Sequence, residues 1–214
     1  MKKVVIIWAL IICFSVAPIA NANTFGNNSL VTIPTADILM QQNLNLSYQM
    51  VGDEDLVVIN YGFNDKVQVG TNLEWKQGIE GEGEIYPSVK VKLLEENKEF
   101  QPTLSLGFID RNYYLVASKT TSIAGIRAHA GFFNFVDADN EGFIGISRVL
   151  NPVTISTGDN DFQLPVTTVM AEYNQGLNLG AKFGFTEHIS ADLGAVNIID
   201  EAEFAVGINF KNKF

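Results

Sequence analysis

Apolar side chains recur at every second position along most of the chain. Leu44, Leu46, Tyr48 and Met50 alternate with Asn45, Ser47 and Gln49, and Val57, Ile59, Tyr61 and Phe63 continue the pattern. Val67, Val69, Thr71, Leu73 and Trp75 face away from Gln68, Gly70, Asn72 and Glu74, while Val89, Val91 and Leu93 alternate with Ser88, Lys90 and Lys92. Further sets are Leu104/Leu106/Phe108, Ala124/Ile126/Ala128/Ala130/Phe132, Leu177/Leu179/Ala181/Phe183/Phe185, Ile189/Ala191/Leu193/Ala195 and Phe204/Val206/Ile208/Phe210. Successive side chains of a strand point to opposite faces, so period two marks half-exposed strands, and no segment after Ala22 sustains a 3.6 period. The pattern predicts an all-β chain with about twelve strands, 10 or 14 remaining open. Their expected ranges are 43–51, 54–63, 66–76, 84–94, 101–109, 112–119, 122–133, 142–150, 165–173, 176–185, 188–197 and 203–214.

The connections are of two kinds. Asn64-Asp65, Asp110-Arg111, Asn174-Gln175 and Thr186-Glu187 read as tight turns, whereas 77–83, 134–141 and 151–164 are longer and rich in Gly, Asp, Asn or Glu. Short turns on one side and long polar loops on the other would be the arrangement of an outer-membrane barrel. The stretch Gly62-Phe63-Asn64-Asp65-Lys66-Val67 repeats as Gly184-Phe185-Thr186-Glu187-His188-Ile189, and more loosely from Gly107 to Arg111. The repeat is a hairpin whose aromatic would sit at a fixed depth, although any meander of hairpins converges on such turns.

The first residues stand apart from this pattern. Lys2 and Lys3 precede an almost wholly apolar run from Val4 to Ile19, and Ala20-Asn21-Ala22 places small residues where a signal peptidase reads. This predicts a secretory signal peptide over 1–22, cleaved after Ala22. The lone cysteine, Cys13, would leave with it, removing thiolate metal sites and disulfides from consideration. Without Lys2 and Lys3 the chain keeps 12 Lys+Arg against 24 Asp+Glu, a formal charge of −12. That balance argues against nucleic acid as a partner.

The face opposite the apolar one is small and polar. Parity places Gly70, Gly107, Gly125, Gly145, Gly180, Gly184, Gly194 and Gly207 there, with Glu74, Lys90, Lys92, Arg127, His129, Glu172, Lys182 and Asp192. Small residues mixed with both signs of charge suit a narrow lumen, across which Lys90, Lys92, Arg127 and Lys182 can pair with Glu74, Glu172 and Asp192. The apolar face is clean across the middle of nearly every strand, as lipid contact requires. At the end of the chain Phe204, Val206, Ile208, Phe210 and Phe214 share one face, with Gly207 between them and Asn212 interrupting. This strand resembles the C-terminal signal by which the outer-membrane assembly machinery recognises its substrates. The expected architecture is therefore an antiparallel up-and-down transmembrane barrel over 43–214 in the outer membrane of a diderm bacterium. A soluble periplasmic β-protein is the weaker alternative.

Several segments resemble one family. Asn27-Asn28-Ser29-Leu30-Val31-Thr32-Ile33-Pro34-Thr35-Ala36 is similar to the N-terminal motif of YjbH-type outer-membrane exopolysaccharide proteins, with Asn28 where a small residue is usual. The stretches Val89–Glu96, Leu106–Asp110, Tyr114–Lys119, Ala171–Tyr173 and Gly180–Gly184 follow in the same order, so the resemblance spans about 27–195. It implies a barrel connected with production or export of extracellular polysaccharide, with lipid, the assembly machinery and glycan-export components as partners. Many members are considerably longer, and the resemblance carries over no catalytic residues. A structural or adhesive protein acting through its acidic loops is the alternative reading.

Candidate chemistry is sparse. The imidazoles are His129, on the inner face beside Arg127, and His188, in a tight turn; neither belongs to a recognisable catalytic constellation. Glu80, Glu82 and Glu84 alternate with glycine, which reads as an acidic loop more readily than as a calcium site. A non-enzymatic protein without cofactor or metal is expected. The segment 23–42 is too apolar at Leu30-Val31-Thr32-Ile33 for a disordered leader and is expected to fold into the barrel mouth as a partial plug.

Deleting Phe214 removes the last residue of the recognition strand but only one aromatic side chain. Insertion in cells is expected to fail while refolding into detergent is largely kept, and equal insertion of the deletion variant and the parent would contradict the assignment.

Overall fold

The computed structural model describes residues 28–76, 83–97, 99–135, 140–152, 155–156 and 163–214. The expected signal peptide, with Cys13, and Glu80 and Glu82 lie outside the described residues. The strands are β1 (Asn43–Val51), β2 (Glu54–Asn64), β3 (Val67–Lys76), β4 (Glu84–Leu94), β5 (Thr103–Ile109), β6 (Asn112–Thr120) and β7 (Arg127–Asn134). They continue as β8 (Glu141–Val149), β9 (Ile155–Ser156), β10 (Gln163–Leu164), β11 (Val166–Asn174), β12 (Gly176–Gly184), β13 (Ile189–Val196) and β14 (Glu203–Lys213). β9 and β10 pair only with each other, within the connection between β8 and β11. The other strands form one closed antiparallel barrel of twelve, each beside its chain neighbour, sealed by β1 against β14 from Asn43↔Lys213 to Val51↔Ala205. Twelve antiparallel strands around one barrel is the architecture expected from the alternation.

The solvent pattern is inverted relative to a soluble domain. Leu46, Tyr48, Ile59, Leu93, Phe108, Ile144, Ile146, Leu179, Leu193 and Ile208 are exposed on the outside, while Asn45, Ser47, Asn72, Ser105, Ser118, Asn178 and Asn209 are fully buried inside. Exposed aromatics mark both rims: Phe63, Phe185, Phe210 and Phe214 at the end where the chain enters and leaves the barrel, and Trp75, Phe108, Tyr113 and Phe204 at the other. The outward Asp55 lies near this second rim and accepts a hydrogen bond from Tyr48 Oη at 2.5 Å.

Three local expectations are corrected. The strand expected from residue 122 begins at Arg127, because Ala124 and Gly125 take left-handed conformations (φ 51° and 66°) and turn the chain. Gly125 is therefore in a turn with nothing within 4 Å of its would-be Cβ, not on the lumen wall, and Ile126 is not on the outer face of a strand. Connection length does not sort by side either. The entry end carries the two-residue turn after Asn64 and the long link from β8 to β11; the far end carries both the turn at Asp110-Arg111 and the link from β3 to β4. For the same reason the repeated hairpins place Phe63 and Phe185 at one rim but Phe108 at the other.

Two inner glycines are recesses for rings from the neighbouring strand. A Cβ on Gly107 would lie 2.1 Å from Tyr114 Cζ, and one on Gly131 would lie 2.4 Å from Phe143 Cζ and 2.3 Å from the Leu115 carbonyl oxygen. Phe133 packs between the two rings, 5.9 Å from Tyr114 and 4.8 Å from Phe143 between centroids. Gly142 has open space, its would-be Cβ no nearer than 4.0 Å to another atom. Gly131→Ala is expected to cost about 1–3 kcal/mol by overpacking, read as a lower unfolding midpoint in detergent, whereas Gly142→Ala should change it little.

Candidate functional site

The lumen is occupied by the chain's own N-terminal segment, residues 28–40, folded as a finger. Its root is at the entry end, where Gln42 N–H donates to the Gly62 carbonyl at 2.8 Å and Phe214 N–H donates to the Gln42 carbonyl at 2.9 Å. From there the chain runs inward to a reversal at Leu30–Ile33, where Leu30 N–H donates to the Ile33 carbonyl at 3.0 Å. The returning leg runs antiparallel, through the Ser29↔Pro34 bridge and Thr35 N–H to the Asn28 carbonyl at 3.1 Å. Both legs reach one wall residue: Gln68 Oε1 accepts from Leu39 N–H at 2.9 Å and from Asn28 Nδ2 at 3.1 Å.

Buried main-chain groups need partners, and here the wall supplies them. Glu172, on β11, accepts from the N–H groups of Val31 (2.9 Å), Thr32 (2.7 Å) and Ile33 (3.4 Å), and from the Thr32 hydroxyl (2.6 Å). Asn178 Nδ2, on β12, also donates to it at 2.9 Å. An anionic acceptor facing convergent N–H groups is a strong arrangement, because charge-assisted hydrogen bonds are shorter and stronger than neutral ones. Lys90 Nζ donates to the carbonyls of Thr35 and Asp37, both at 3.0 Å. Ser118 accepts from Ala36 N–H at 2.8 Å, and Ser105 donates to the Ala36 carbonyl at 2.6 Å.

The finger's side chains fit a complementary surface. Leu30, Ile33 and Ala36 pack with Tyr114, Val116, Phe133, Phe143 and Met170 in one buried cluster. The recesses are again glycines: a Cβ on Gly145 would meet Leu30 Cδ1 at 2.4 Å and Ile33 Cδ1 at 2.9 Å, and Cβ atoms on Gly180 and Gly194 would meet Val31 at 2.6 and 2.9 Å. Among the described residues, the cavities beside the finger are small. One cavity of about 30 Å³ lies between the finger and the wall, lined in part by Asn28, Asn60, Gln68 and Lys90; a second, beside Val31, is of about 20 Å³. Such volumes hold a water molecule or two, not a solute.

The charged residues expected on the inner face do not form one cross-lumen network. Lys90 and Glu172 hold the finger's backbone. Arg127 bridges Asp37 of the finger (2.8 Å) and Glu96 of the link from β4 to β5 (2.6 Å), at the entry end. Burial pushes the Glu96 carboxyl up, but the Arg127 hydrogen bond, the Thr120 N–H and the nearby charges of Arg127 and Lys119 outweigh it and hold it below the usual carboxylate range. Glu96 is therefore ionised at neutral pH. Among the described residues, Lys182 and Asp192 meet as an expected inner pair, at 3.7 Å. Lys92 is near Glu95 at the entry rim (3.6 Å), and Glu74 faces a cavity of about 10 Å³ beside Thr32. His129 is buried with Nδ1 2.8 Å from Ser118 Oγ and Nε2 3.2 Å from Ser147 Oγ. This is a serine–histidine contact without a carboxylate on the ring, sealed beneath the finger, with Ser118 already bonded to the Ala36 N–H. His188 is exposed in its turn. Among the described residues no group of three or more His, Cys, Asp or Glu is placed to hold a metal ion.

The neutral polar residues were the ones overlooked. Gln68, Ser105, Ser118 and Asn178 hold the finger, and a chain of hydrogen bonds runs from Asn45 through Ser47 and Asn209 to Asp192. Strand parity puts these neutral residues inside, but charge gives no sign of them, because none of their side chains is ionised.

No protein-family model matches the chain, and no curated protein does. Among solved structures it is similar to the KdgM porin in complex with disordered oligogalacturonate, at 11% identity over 78% of this chain and 98% of that one, with a TM-score of 0.47. It is also similar to the N-terminal β-barrel domain of Pseudomonas aeruginosa OprF, at 12% identity over 81% of this chain and 100% of that one, with a TM-score of 0.26.

Glu172→Ala would leave several buried donors without an acceptor, each costing about 1–3 kcal/mol if water cannot reach it. Proteolytic cleavage within 28–40 is expected to rise by about tenfold or more, since each 1.4 kcal/mol of lost docking is a factor of ten. Asp192→Asn, which keeps an oxygen for Asn209, should leave that rate close to the parent's.

Proposed function

We propose that this chain is an integral outer-membrane barrel of a diderm bacterium, closed by its own N-terminal finger. In this reading it serves extracellular polysaccharide production or export as an accessory or docking component, and is neither an enzyme nor a free-diffusion pore. The observation that carries the membrane reading is the inverted solvent pattern. Large apolar side chains stand exposed around the whole outside of a closed barrel, bounded by aromatics at both rims, while the amides and hydroxyls are buried within. In hydrocarbon, with no water to satisfy a free backbone group, a closed barrel is one of two viable folds, and an outward apolar band with aromatic girdles is its signature. A soluble barrel would leave that surface in water, far beyond the apolar patches that monomers expose.

The finger supports a closed rather than conducting state, because it fills the lumen that twelve strands would otherwise leave. The glycan role rests on the family resemblance, whose N-terminal motif, Asn27–Ala36, falls largely on the finger itself. The surface-acting alternative draws on the far rim, where Asp53, Asp110, Asp200 and Glu201 are exposed. Neutralising those residues would abolish surface binding without an export defect if that reading held.

Folded membrane barrels resist SDS until heated, so unheated and boiled samples are expected to migrate differently, and the intact protein should give no large steady conductance in a planar bilayer. Recovery from the soluble periplasmic fraction with no mobility shift would refute the membrane reading. A large steady conductance would refute the closed lumen.

A further inference from the structure

We propose that the lumen is a binding site for a peptide hairpin, and that residues 28–40 occupy it as an exchangeable ligand rather than as a fixed part of the barrel. The inference rests on the closed-lumen reading above and adds how that closure is held and released.

The wall reads main-chain atoms. Glu172 takes the N–H groups of Val31, Thr32 and Ile33, Ser118 that of Ala36, and Gln68 that of Leu39, while Lys90 and Ser105 donate to the carbonyls of Thr35, Asp37 and Ala36. Contacts of this kind recognise a backbone whatever side chains it carries. Selectivity comes from the glycine recesses at Gly145, Gly180 and Gly194, which receive Leu30, Ile33 and Val31, and from the side-chain contacts of Asn28, Thr32 and Asp37. The ligand class is a peptide with small branched apolar residues at its reversal.

The barrel does not need the finger to close. Every barrel strand pairs with two others, and the finger adds no strand to that ladder. The finger's docking is made by side chains, which can be hydrated in a water-filled lumen when it leaves. Both legs return to the entry end, where they meet Gln68, and the tip at Thr32, which reaches Glu172, Asn174 and Asn178 toward the far end, is held there by wall side chains and by no strand pairing among the described residues. At the root, Met40, Gln41 and Gln42 are exposed, so the tether can be cut without touching a strand.

The test uses the full chain with a protease site inserted between Gln41 and Gln42, refolded in detergent and then cut. The probe is a fluorescent synthetic peptide with the sequence of residues 28–40, added in excess. The labelled peptide is expected to co-elute with the nicked barrel as the original finger departs, with heat-dependent gel mobility kept throughout. Glu172→Gln, which preserves shape but removes the charge, should speed exchange about tenfold or more. A cut finger that resists excess peptide until the barrel unfolds, or that leaves only as the mobility shift is lost, would overturn the proposal. Failure of the closed-lumen reading would appear separately, as steady conductance of the uncut protein.

Discussion

Everything in this molecule depends on where its backbone and polar groups can find hydrogen-bond partners. The closed ladder removes the problem for the strands, since β1 finds β14 and no edge is left unpaired. It creates the same problem in the interior, where a wall of amides, hydroxyls and charges is cut off from bulk water once anything fills the space. The finger answers both needs together. Its own N–H and C=O groups have few partners within a narrow hairpin, and the wall's side chains have few within a twelve-stranded tube. Glu172 and Lys90, which would be costly to bury alone, are acceptable because each faces several groups of opposite polarity.

Most of the fold was legible because alternation is a direct physical signal. Eleven of the twelve barrel strands lie within two residues of their expected bounds, since in each the outward residue meets an apolar solvent and the inward one does not. The exception, before Arg127, shows how the signal fails. Ala124 and Ile126 keep the parity of the strand but sit in a turn, and a left-handed pair of residues leaves no trace in hydrophobic periodicity. The sidedness of the loops does not follow from their length, which says nothing of direction; direction follows from counting strands.

The site was legible by face but not by partner. Parity put Lys90, Arg127, His129, Glu172, Lys182 and Asp192 inside, and the apolar Leu30–Ile33 stretch pointed to a packed N-terminal segment. What periodicity could not reveal is that Lys90 and Glu172 address the finger's main chain instead of each other. A carboxylate that caps three amides and one that pairs with a lysine have the same one-letter symbol. The difference lies in a contact across some 140 positions of sequence, such as Glu172 with Thr32.

The root of the finger contains one further consequence, about time. Gln42 is bonded through its N–H to Gly62 and through its carbonyl to Phe214, the residue that follows β14. That second bond requires β14 to lie against β1. The Phe214 tether of the finger therefore depends on the pairing of β1 with β14, and it records that the barrel is closed. A chain stalled before closure lacks it, and differs from a finished one at the very segment that decides whether the interior is shut.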